Sequence, residues 1–130
     1  MVERLNGSCL CGAVRYTVDD DFRYALICHC SKCRRATGSA FKPFGGIEAT
    51  RLEVTHGTLS TFGDVMTHDA HCVLCGSLLY SIVQQATMAH VTYGTLLDPP
   101  TLLPQAHIFV ASKAPWYRIL DGLPQYDGFP

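Results

Sequence analysis

Short apolar runs broken by glycine and proline dominate the chain. From Ala13 to Val18, the residues Val14, Tyr16 and Val18 alternate with neighbours of different character, the period-two spacing of a strand. Tyr24 to Cys28, Phe41 to Phe44, Arg51 to His56, Leu78 to Val83, Met88 to Tyr93 and Ala106 to Val110 carry β-branched and aromatic residues and predict further strands. Each run is about five or six residues, an ordinary strand length. Only Ser31 to Thr37 reads as a helix, with Ser31 as its N-cap and Gly38 as its stop. No longer stretch carries a 3.6-residue apolar stripe. The pattern predicts a mainly β chain of antiparallel sheets joined by tight turns, with one short helix.

Eleven glycines and seven prolines punctuate these runs, and the prolines concentrate after Asp98. The last thirty residues are therefore expected to wrap across the sheet as extended coil, anchored by Trp116 and Tyr117. A length of 130 residues suits one domain, residues 1–130. No segment approaches the roughly 18 continuous apolar residues of a membrane helix. Met1 to Asn6 carries Glu3 and Arg4 with no apolar stretch behind them, so no secretion signal is expected and the cytoplasm is the expected location. A net charge of −1 offers no electrostatic footprint for nucleic acid.

Cysteine changes the picture. Seven cysteines fall in three clusters: Cys9 and Cys11; Cys28, Cys30 and Cys33; Cys72 and Cys75. In a reducing compartment, clustered cysteines indicate metal ligands or redox groups rather than disulfides. A redox pair at Cys72 and Cys75 lacks the βαβ context such a motif needs. Residues i and i+2 of an extended segment share a face, so Cys9 with Cys11, and Cys28 with Cys30, can each direct both sulfurs to one ion. Zn²⁺ takes four tetrahedral ligands in structural sites and three protein ligands where it does chemistry. Cys9, Cys11, Cys72 and Cys75 can therefore form a closed site beside an open one on Cys28, Cys30 and Cys33. Spacing also permits a ribbon-like site on Cys30, Cys33, Cys72 and Cys75, with Cys9, Cys11 and Cys28 left over. His29 would point to the strand face opposite its cysteine neighbours, as would His71 beside Cys72. His107 could face the open site or end a strand.

Five ordered motifs then resemble the glutathione-dependent formaldehyde-activating enzyme family, which includes centromere protein V. They are Gly7-Ser8-Cys9-Leu10-Cys11-Gly12-Ala13-Val14-Arg15-Tyr16; Cys28 to Arg35 followed by Thr37-Gly38-Ser39-Ala40-Phe41; Cys72 to Leu78; Gly94-Thr95-Leu96 with Asp98-Pro99; and His107-Ile108-Phe109 with Ser112-Lys113-Ala114-Pro115-Trp116. His71 and Leu97 depart from the family pattern without removing a ligand. The resemblance implies two Zn²⁺ ions per chain, a structural one on Cys9, Cys11, Cys72 and Cys75 and a catalytic one on Cys28, Cys30 and Cys33. It also implies a β-tent of stacked antiparallel sheets, similar to methionine-R-sulfoxide reductases. The implied activity is that of a carbon–sulfur lyase joining glutathione and formaldehyde as S-hydroxymethylglutathione, or running the reverse. A zinc-stabilised binding module like centromere protein V is the alternative. A glutathione site calls for cations, for which Lys32, Arg34, Arg35 and Lys42 are the candidates, Arg34 and Arg35 foremost, with His107 as a further substrate contact.

Overall fold

The expected strands form, and three more join them. The computed structural model describes residues 2–130. The strands are β1 (Arg4–Ser8), β2 (Arg15–Asp19), β3 (Tyr24–Cys28), β4 (Lys42–Glu48), β5 (Leu52–His56), β6 (Leu59–Gly63), β7 (His68–Cys72), β8 (Leu78–Val83), β9 (Met88–Thr92) and β10 (Ala106–Ile108). The helix α1 spans Ser31–Thr37. Strands β1, β6 and β7 lie outside the expected runs. β1 contains Asn6 and Gly7, poor strand formers, and β7 buries only Ala70 and Cys72 between polar residues. Their pairing partners supply what local propensity lacks.

Three strands form one sheet in the order β1-β2-β5, and seven form the other in the order β10-β3-β4-β9-β8-β7-β6. Every pairing is antiparallel except that of β10 with β3, where Ala106 to Ile108 run parallel to Leu26 to Cys28. The purely antiparallel expectation needs that one correction. The segment between β9 and β10 must cross from one side of β4 to the far edge, which is the geometry a parallel neighbour requires.

Cross-strand partners share a face, so the pairing register sorts the large sheet into two sides. Ile47, Ala89, Val91, Ala70 and Tyr80 face the small sheet and meet its Leu5, Tyr16 and Val18 in one buried core. The other side carries Cys28 and Lys42 in register, then Ser81 opposite both Asp69 and His90, then Phe62 opposite Asp69. One face of this sheet is thus core and the other is rich in polar groups. Gly46 shapes that second face: a Cβ there would collide with the Tyr24 ring. Its absence lets the Tyr24 hydroxyl lie across β4 and reach His90 Nε2 at 2.7 Å.

Two sequence expectations are revised at the edges. Cys30, not Ser31, caps α1, with its Sγ accepting the Cys33 N–H at 3.2 Å; Ser31 is the first helical residue. The tail does wrap along β10, the His107 N–H donating to Pro124 O and the Tyr126 N–H to His107 O, both at 2.9 Å. Trp116 does not anchor it, being 69% exposed; Ala114 is fully buried in its place and Tyr117 packs edge-on against Phe41. Among the described residues no helix is long and apolar enough to cross a membrane.

Gly7 pairs with Tyr16 and lies so close beneath its ring that a Cβ would overlap it. That ring is buried and tethered by its hydroxyl to Thr95 Oγ1 at 2.7 Å, so it has nowhere to go. Gly7→Ala should destabilise the fold by about 1–3 kcal/mol, an overpacking cost. The expected result is a lower urea midpoint at an unchanged slope; an unchanged midpoint would show the ring to be movable.

Candidate metal centres and the adjoining cleft

Four sulfurs converge where the two sheets meet. Cys9 follows β1 and Cys11 sits in a turn closed by Gly12, whose φ of +82° suits glycine. This pair is therefore a knuckle rather than the extended segment its spacing suggested. Cys72 ends β7, and Cys75 lies in the following turn before Gly76, with φ of +79°. Cys11 Sγ lies 3.6 Å from Cys9 Sγ and 3.8 Å from Cys72 Sγ, and all four sulfurs lie within 4.8 Å of one another. Tetrahedral zinc with Zn–S bonds of about 2.3 Å sets sulfurs about 3.8 Å apart. The donor set and spacing fit that ion.

The backbone supports thiolates here. The Val14 N–H donates to Cys9 Sγ at 3.2 Å, and the Leu74 and Cys75 N–H groups both donate to Cys72 Sγ at 3.4 Å. Ser77 Oγ accepts the Leu10 N–H at 2.9 Å and lies 3.3 Å from Cys75 Sγ, tying the two knuckles together. Bonds from Ser77 hold Cys75 down to about 5. At Cys11 the Ala13 amide favours the thiolate, but burial and the other three sulfurs prevail and push it up to about 11. Crowded thiolates oppose one another's ionisation. A divalent cation removes that conflict.

Cys28, Cys30 and Cys33 form the second group, their sulfurs also within 4.8 Å of one another. Cys28 ends β3, Cys30 caps α1 and Cys33 lies in its first turn, so a strand end and a helix start assemble the triplet. Among the described residues no fourth His, Cys, Asp or Glu donor joins it. The neighbouring Cys28 sulfur first, and then burial, push the Cys33 thiol far above its usual range. The ribbon-like alternative is excluded, because Cys72 and Cys75 lie with Cys9 and Cys11 instead.

His29, fully buried between two of these cysteines, points away from them in a hydrogen-bonded chain. Its Nε2 meets His107 Nδ1 at 2.7 Å, and the His107 Nε2–H donates to the Asp121 carboxylate at 2.9 Å. Burial, and next His107, push the His29 pKa down to about 4. His29 Nδ1 has no hydrogen-bond partner among the described residues. His107 stands in register with Ile27, on the sheet face opposite Cys28, and both its ring nitrogens are engaged. It reaches toward the triplet through His29.

A cleft of about 780 Å³ opens between α1 and the polar face of the large sheet, lined by Lys32, Arg35, Ala36, Phe62, Asp69 and His71. Of the two candidate arginines, Arg35 lines this cleft, its Nε donating to Ser31 O at 3.2 Å. Arg34 does not line it, and its Nε is buried. Sequence reasoning missed Asp69, His71 and Phe62 as cleft residues because their strands were not expected. The signal available was the alternation of Ala70 and Cys72 with polar neighbours.

Comparison with known proteins agrees with this geometry. A crystal structure of a Rhodobacter sphaeroides protein is similar, with a TM-score of 0.59 and 27% identity over 75% of this chain and 92% of that one. Among curated proteins, none matches the sequence. The family model for the glutathione-dependent formaldehyde-activating enzyme matches residues 4–112, a span that contains all seven cysteines. The chain belongs to the glutathione-dependent formaldehyde-activating enzyme family.

Proposed function

We propose that the protein is a zinc-dependent carbon–sulfur lyase that forms or cleaves a thiol adduct of formaldehyde, S-hydroxymethylglutathione being the adduct the family description suggests. The observation that carries this is the contrast between four converging sulfurs and a three-sulfur group with no fourth donor, set near a cleft. Structural zinc is normally closed, whereas an incomplete ligand set leaves a position for a substrate. Cys9, Cys11, Cys72 and Cys75 would hold a structural Zn²⁺; Cys28, Cys30 and Cys33 would hold a catalytic one. Zinc bound to the triplet would supply an exchangeable position that favours the thiolate form of an incoming thiol.

The chain's own groups supply binding and orientation. Lys32 and Arg35 place two cations on the helix side of the cleft, and Asp69 places a carboxylate on the sheet side. Glutathione carries two carboxylates and one ammonium, so its charges match this arrangement. Phe62, 77% exposed on β6, offers an apolar wall for the tripeptide backbone. The chain from His29 to Asp121 holds the segment between Cys28 and Cys30 in place. Seven free cysteines suit a reducing compartment such as the cytoplasm.

Native mass spectrometry of fresh protein should show two zinc ions, with the one on the triplet lost first to a chelator. Cys72→Ser should abolish the cooperative thermal transition, because structural zinc contributes folding free energy. Cys30→Ser should keep the native circular dichroism spectrum, hold one zinc and lose activity. The reverse pattern would invert the assignment of the two groups. NMR exchange spectroscopy of glutathione with formaldehyde should show faster hemithioacetal exchange in the presence of protein. No acceleration would point instead to another thiol or to a non-catalytic module.

A further inference from the structure

Lys42 is only 5% exposed, on the polar face of the large sheet. An ammonium has three N–H donors, and the hydrogen bond it makes to protein is to Ser81 Oγ at 3.1 Å. No carboxylate lies within ion-pair distance of it among the described residues. A buried charge with one neutral acceptor is unfavourable on its own, and its remaining N–H donors are left for an anionic partner. The Ser81 hydroxyl donates onward to Asp69 Oδ1 at 2.6 Å, and Asp69 forms part of the cleft wall. That second bond turns the lone pairs of Ser81 toward Lys42.

The triplet lies on the same face. Lys42 is the Cα partner of Cys28, and Phe44, two residues further along β4, belongs with Cys28 to the apolar cluster against which Cys30 and Cys33 pack. Lys42 Nζ stands 5.8 Å from the centroid of that ring. The neighbouring His90 is kept neutral, burial and then Lys42 pushing its pKa down to about 4. Lys42 therefore supplies the positive charge between the triplet and the Asp69 side of the cleft.

We propose that Lys42 is the oxyanion-binding residue of the open centre, a catalytic role that rests on the lyase function proposed above. When a thiolate adds to a carbonyl carbon, a sulfur lone pair forms the C–S bond and the C=O π pair moves onto oxygen. The Lys42 ammonium donates a hydrogen bond to that oxygen, which then takes a proton from water and leaves hydroxide. In reverse, hydroxide removes the hydroxyl proton, the C–S bond breaks and its electron pair returns to sulfur. Ser81 and Asp69 are positioning residues that hold the ammonium in place.

Two thiols test this by binding alone. Mercaptoacetate carries an anionic oxygen close to where the adduct oxygen would lie, and ethanethiol carries none. Calorimetry on the zinc-loaded protein should show mercaptoacetate bound about 10–100-fold more tightly, the range for a hydrogen bond to a charged group. Lys42→Met should bring the two affinities to within about threefold while both zinc ions stay bound. Ser81→Ala should reduce the preference by a smaller factor. In exchange assays Lys42→Met should lower kcat by about 10²-fold with little change in KM for the thiol. Equal affinities in the wild-type protein, absence of binding included, would overturn the assignment. So would a preference that survives in Lys42→Met, or loss of the triplet zinc from that variant, which would make Lys42 a counter-charge to the thiolates. Wild-type protein without exchange activity would overturn the lyase function alone, since the thiol preference is measured without turnover.

Discussion

Four sulfurs held within 4.8 Å of one another, two following the small sheet's β1 and two at the end of the large sheet's β7, are the constraint on which the rest of the structure depends. They lie where the two sheets share one core, so the same contact that gathers the ligands fixes how Leu5 and Tyr16 meet Ala70 and Val91. Zinc in that position would do for this chain what a larger core does for a longer one. Short strands of about five residues contribute little individually, and a cross-link between sheets makes them cooperative.

With the sheets fixed, the large sheet is free to carry polar groups on its other face. Its inner face is packed with alanine, valine, isoleucine and tyrosine, while its outer face carries Cys28, Lys42, Ser81, Asp69 and His90. Such a row would be costly if it were buried without partners. Its groups are linked across the face, Ser81 with Asp69 on the next strand, and Lys42 with Ser81 and Tyr24 with His90 across an intervening one. Gly46 is the silent member of this row, since a side chain there would part Tyr24 from His90.

Most of this was legible in the sequence where the signal was local. Tyr24–Cys28, Leu78–Val83 and the helix Ser31–Thr37 form with the expected limits, because β-branched, aromatic and turn residues marked them clearly. The cysteine groups were legible through spacing, and the choice between two partitions through motif resemblance. What escaped was non-local. β1 and β7 are strands because of what they pair with, not because of their own composition. The cleft escaped with them, since Asp69 and His71 become neighbours of α1 only once β7 is placed. Trp116 misled because a large aromatic residue usually buries itself, and here the small Ala114 does so instead.

The parallel strand β10 has a consequence for how such a protein can diverge. The family match stops at residue 112, yet β10 is flanked by residues beyond that limit, and the carboxylate that completes the His29–His107 chain belongs to Asp121. The tail is therefore an adjustable brace on the loop that carries Cys30. Changes around Asp121 can alter that brace while leaving every cysteine, and all five motifs, untouched.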